Sequence, residues 1–176
     1  MSKTNNVKDL IISGICLALC MVLPLLTMQI QPFGAALAPM HIPVLLCGFI
    51  CGGRNAALVG ATAPLLRFMI FGMPPIMPMG IAMAFELAVY GIAVGILNSL
   101  FPKKSGFIYV TLILSMLLGR IVWGTAMWRI SGTVADVPFS WEAFMSGAFV
   151  DALPGIVLHI AIIPPVVMAV NKVSKG

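Results

Sequence analysis

Residues 56–101 read AALVGATAPLLRFMIFGMPPIMPMGIAMAFELAVYGIAVGILNSLF. Two apolar runs, each holding one ionisable residue, Arg67 and Glu86, are separated by Gly72-Met73-Pro74-Pro75. Proline lacks an amide hydrogen and clashes with the preceding turn, so the first run is expected to end as a helix near residue 71. The second run then starts a new helix near residue 77. A helix needs about 20 apolar residues to cross a hydrocarbon layer ~30 Å thick, and somewhat fewer if the bilayer thins around it. The stretch therefore reads as two membrane-crossing helices joined by a tight proline turn.

The rest of the chain repeats this pattern. Of its 176 residues 61% are hydrophobic and only 9% charged, with a mean hydropathy of +1.11. A soluble domain would carry about a quarter charged residues, so these values specify an all-α integral membrane protein. The first apolar run lacks a small-residue cleavage site and is followed by equally apolar runs, so it is expected to be retained rather than removed as a signal peptide. Although the net charge is +5, the basic residues stand singly between apolar segments. No basic strip laced with aromatics exists, and nucleic acid is not an expected partner.

Six transmembrane segments are expected within one domain covering 1–176, at about 7–28, 40–51, 56–71, 77–101, 107–130 and 141–170. With six spans both termini share one side, which collects Lys3, Lys8, Arg54, Lys103, Lys104, Lys172 and Lys175. The positive-inside rule makes that side the cytoplasm. On the opposite side lie residues 29–39, 72–78 and 131–140, whose one charge is Asp136. Segments two and three are short. Non-helical backbone at membrane depth is tolerated only where protein covers it or it lines a cavity, which points to an outward-facing pocket.

Five ionisable residues, Arg67, Glu86, Arg120, Asp151 and His159, fall inside the apolar segments. A charge in hydrocarbon costs roughly 2.5 to 3.5 kcal/mol on insertion scales, so such groups face protein or water. At ~1.5 Å per residue, Arg67 lies about 6 Å and Glu86 about 10 to 13 Å below the outer ends of their helices. Arg120 is roughly 15 Å deep, and Asp151 lies at about that depth or shallower. Two acids and two bases at matched depth could serve as structural ion pairs. Their neighbours favour a binding site: Tyr90 lies one turn below Glu86, and Trp123 and Met127 share a face with Arg120. Apolar and aromatic walls with a few convergent polar groups describe a small-molecule site. Arg129 and Trp128 suit interfacial anchoring, and His159, with no acid one turn away, suits a structural hydrogen bond.

Cys16 and Cys20, and Cys47 and Cys51, are spaced by four within their runs. Without further ligands beside them, these thiols read as small apolar fillers, and no metal or other cofactor is expected. Gly14 and Ala18 form a small-xxx-small pattern that lets another helix approach closely.

The whole chain resembles the substrate-binding S component of an energy-coupling factor (ECF) vitamin transporter. The similarity rests on size, six helices, small residues on the first of them and a polar outer linker after it. Three segments carry it furthest: Ala38-Pro39-Met40-His41-Ile42-Pro43-Val44-Leu45-Leu46-Cys47-Gly48-Phe49-Ile50-Cys51-Gly52, then Gly72-Met73-Pro74-Pro75, and Phe85-Glu86-Leu87-Ala88-Val89-Tyr90-Gly91. The resemblance implies a subunit of the bacterial cell membrane that captures a vitamin from outside, under the linker between the first two helices and among helices four to six. It also implies docking through Gly14 and Ala18 on a transmembrane coupling protein, the T component, attached to two ABC ATPases. The chain has no phosphate-binding loop, so ATP hydrolysis must come from those partners. The expected substrate-binding residues are Glu86, Arg120, Trp123, Asp151, Arg67, Tyr90, His41 and Met127, with no catalytic residue among them. For His41, at the outer mouth of helix two, ligand contact and pinning of the linker both stay open.

Two other classes compete. An intramembrane enzyme would use Glu86, Asp151 or His159 as acid, base or metal ligand, yet the chain offers neither His-Glu-x-x-His nor Gly-x-Ser-x-Gly. A self-sufficient secondary transporter would show inverted repeats, and the halves 1–81 and 82–176 show none. A mixture of acids and bases suits a polar ligand such as pantothenate, a pyridoxine-type vitamin or riboflavin.

Overall fold

A computed structural model describes residues 3–27, 37–102, 104–134 and 140–173. The described chain is all helical, with no strand: α1 (Lys3–Thr27), α2 (His41–Cys51), α3 (Gly53–Phe71), α4 (Ile81–Leu100), α5 (Ser105–Val134) and α6 (Leu153–Val173). A wide turn, Ile76–Gly80, leads into α4, and a short helix, Trp141–Met145, with a wide turn, Ser146–Val150, leads into α6. Four stretches are long and apolar enough to cross a membrane: Val7–Thr27, Ile76–Leu100, Ser105–Gly132 and Trp141–Val173. Helix α2 has 11 residues, and α3, with 19, carries Arg54 and Arg67. Most of the linker expected between the first two helices, and Asp136, lie outside the described residues.

Helix α4 is the hub. It packs most extensively against α3 and α5 and also meets α2. Small residues make the α3–α4 approach possible, because a Cβ on Gly60 would strike the Leu87 carbonyl and one on Gly91 the Ala56–Ala57 peptide. With no hydrophobic drive between helices in lipid, such backbone proximity is what gives dispersion contacts their strength. Gly72 ends α3 in the left-handed region at φ 71°, its amide donating to the Phe68 carbonyl. The turn it starts reaches α4 through Met77, which is extended at φ −122° and ψ 138°.

One edge of α1 faces the bundle. Ser13, Cys16 and Cys20 are buried at i, i+3 and i+7, whereas Leu10, Ile11 and Ile15 are exposed. The buried edge meets α2, where the Ser13 hydroxyl lies 3.6 Å from Cys47 Sγ and the Cys20 thiol donates to the Met40 carbonyl. All four cysteines are free.

The sixth segment departs from the sequence expectation of one unbroken helix over 141–170. It breaks at Asp151 and Ala152, just before Leu153-Pro154. Pro154 supplies no amide to continue the ladder, and the Asp151 amide reaches back five residues to the Ser146 carbonyl at 2.8 Å. Helix α6 restarts at Leu153 and packs against α5 and α2.

Candidate functional site

The stripe Ala82, Glu86, Tyr90 and Val94 on α4 repeats every four residues and is buried throughout. On α5 the corresponding stripe is Met116, Arg120, Trp123 and Met127. Glu86 and Arg120 meet where these stripes face each other, with Arg120 Nη1 3.1 Å from Glu86 Oε1. The Tyr90 hydroxyl donates to the same oxygen at 2.9 Å. Gly119 leaves the space for this arrangement, since a Cβ there would overlap the Tyr90 ring. Glu86 is only 1% exposed, so its charge depends on these neighbours and not on water.

His41 opens α2 and brings a third group. Its Nε2 lies 3.6 Å from Glu86 Oε2, and its ring tilts against Tyr90 at 5.5 Å between centroids. The preceding turn sets this position: Ala38 adopts φ 45°, an uncommon value for a residue with a Cβ, and its carbonyl accepts the His41 amide at 3.0 Å. The same carbonyl lies 3.3 Å from His159 Nε2. Because a carbonyl only accepts, Nε2 carries the proton there, which assigns the tautomer and leaves Nδ1 as an acceptor in the neutral ring. The two imidazoles stack at 5.9 Å with an interplanar angle of 24°.

Four polar atoms of this cluster are buried without a hydrogen-bond partner: both ring nitrogens of His41, His159 Nδ1 and Arg120 Nε. Each unsatisfied buried polar group costs about 1 to 3 kcal/mol, so the cluster keeps hydrogen-bonding capacity that its own side chains do not use. Along α4 and α5 the cluster lies between two apolar groups. Ala82, Trp123, Met127 and Ala148 pack together towards the 72–80 end, and Leu87, Tyr90, Val94, Leu112 and Met116 belong to the large core on the other side.

The structure thus brings together Glu86, Arg120, Tyr90 and His41, with Trp123 and Met127 as an adjoining apolar wall. It places Arg67 at the contact with α1, where Nη1 donates to the Met21 carbonyl at 3.1 Å and the guanidinium lies 5.3 Å from the Phe71 ring centre. Asp151 is exposed in the break before α6 and accepts from the Ser146 hydroxyl at 2.9 Å. His159 makes the hydrogen bond within the bundle that was expected of it, to the Ala38 carbonyl, and stacks on His41. Gly14 and Ala18 lie on the outward edge of α1, and a Cβ on Gly14 would meet nothing within 4 Å.

Among the described residues no three His, Cys, Asp or Glu side chains are grouped to hold a metal ion. A groove of about 600 Å³ opens on a neighbouring face of α5, lined by Ile121, Gly124, Thr125, Trp128, Ser140, Trp141 and Phe144. It contains no ionisable group, so its recognition chemistry is poorer than that of the buried cluster.

Residues 8–167 match the family described as ECF transporter, substrate-specific component, a match running from α1 into α6. No curated protein and no solved structure matched the chain. The matched family is a transporter component and not a family of enzymes. A buried polar cluster on an all-helical, membrane-compatible scaffold accords with such a component, and the chain belongs to the ECF transporter substrate-specific component family.

Proposed function

We propose that this protein captures a water-soluble vitamin or related micronutrient at the outer face of a bacterial cell membrane and delivers it for uptake driven by ATP hydrolysis in partner subunits. The observation that carries the reading is the cluster of Glu86, Arg120, Tyr90, His41 and His159, with four unpartnered polar atoms in an apolar surround. Glu86 and Arg120 are the leading ligand contacts. His41 joins them as a contact, the Tyr90 hydroxyl holds Glu86, and Trp123 and Met127 supply the apolar wall. Arg67 and Asp151, bonded to the Met21 carbonyl and to Ser146, stand outside this cluster.

The lysine-rich ends support cytoplasmic termini, which puts the 72–80 turn outside and the cluster in reach of an extracellular ligand. The exposed Gly14 and Ala18 edge suits close approach of a T-component helix, with two ABC ATPases behind it. Equilibrium binding of the purified, folded protein across a B-vitamin panel tests the proposal. Tight binding of one member is expected. Silence across the panel and related micronutrients counts heavily against it.

A further inference from the structure

We infer that the molecule captured at this site carries no net charge: it is a neutral, polar compound and not a carboxylate, a phosphate ester or a quaternary cation. This rests on the capture reading and narrows it. The cluster contains one carboxylate, Glu86, and one guanidinium, Arg120, already paired at 3.1 Å. These two opposite charges cancel. The other charges inside the apolar segments point elsewhere, Arg67 to the Met21 carbonyl and Phe71, and Asp151 to Ser146.

A charged ligand therefore has to break the pair. A carboxylate taking Arg120 would leave Glu86, 1% exposed, with only the Tyr90 hydroxyl and His41 beside it. A cation taking Glu86 would strand Arg120 in the same way. Either exchange leaves one buried charge without a countercharge, which the low-dielectric interior penalises heavily. A neutral ligand needs no such exchange. It meets an Arg120 Nε donor and a His159 Nδ1 acceptor, with the His41 ring beside them. Such a ligand offers both an acceptor and a donor, as a ring nitrogen or carbonyl beside a hydroxyl or amine does.

Binding of matched pairs to the purified wild-type protein tests the inference: riboflavin with its phosphate ester, pantothenol with pantothenate, nicotinamide with nicotinate, and pyridoxine with 4-pyridoxate. The tightest ligand is expected to be a neutral member, with its charged partner at least about a hundredfold weaker. A charged member binding as tightly as its neutral partner, or more tightly, overturns the inference and leaves the capture reading standing. No binding by any member overturns both. Glu86→Gln, which leaves the cluster one positive charge in excess, is expected to narrow the gap in favour of the anionic partner by about tenfold or more. An unchanged gap in that variant, with ligand still bound, overturns the charge-balance argument.

Discussion

Replacing Arg120 with methionine keeps an apolar side chain in the α4–α5 seam but removes the guanidinium 3.1 Å from Glu86. The stranded carboxylate retains the Tyr90 hydroxyl at 2.9 Å and faces His41 at 3.6 Å, with 1% of its surface exposed. Breaking a buried ion pair by removing one partner costs about 3 to 5 kcal/mol. The two remaining neighbours place this case at the lower end, about 3 kcal/mol. For a chain of this length each kcal/mol moves the melting temperature by about 2 to 4 °C, so the expected loss is about 6 to 12 °C. Melting in detergent can be followed by reaction of a thiol dye with Cys16, Cys20 and Cys47, all buried in the fold. The double variant Glu86→Gln with Arg120→Met removes both charges and keeps an acceptor for Tyr90. It is expected to melt within about 2 to 4 °C of the wild type. A single variant as stable as the wild type, or a double variant as unstable as the single, would refute the claim that the two charges depend on each other.

Further outcomes follow from the same geometry. Glu86→Gln and Arg120→Met are each expected to weaken binding of the captured ligand by at least ~1.4 kcal/mol, tenfold in affinity; wild-type affinity in folded variants would remove both residues from the site. Gly119→Ala drives a Cβ into the Tyr90 ring and is expected to cost about 1 to 3 kcal/mol of stability, read as a lowered melting temperature. An unchanged melting temperature would mean that Tyr90 is not held where it is described. Gly14→Leu fills open space on α1, so ligand binding is expected to stay unchanged while cellular uptake falls. Loss of binding with normal assembly of the transporter would assign that edge to the ligand instead.

Much of this polar cluster was legible in sequence because hydropathy and proline set helix ends, and helix ends set depth. Glu86 and Arg120 fall at matched depth on neighbouring helices, and Tyr90 follows one turn below Glu86, so their meeting could be read from spacing alone. Asp151 resisted the same argument because Pro154 breaks the sixth segment. The break changes both depth and rotational phase, and it leaves Asp151 bonded to Ser146 on the exposed side. For His159 a hydrogen bond within the bundle was legible, but its partners were not. Its partners, Ala38 and His41, belong to the start of the chain, and no periodicity within α6 reveals a contact made across the bundle. That the chain's two histidines stack on each other is a tertiary fact.

A structure of the protein with its captured ligand tests the central claim most directly. The account predicts ligand density against Arg120 Nε, His41 and the free nitrogen of His159, with Trp123 and Met127 as the apolar wall. Density seated instead in the groove between Ile121, Trp128 and Phe144, with the Glu86–Arg120 cluster unchanged and untouched, would contradict it.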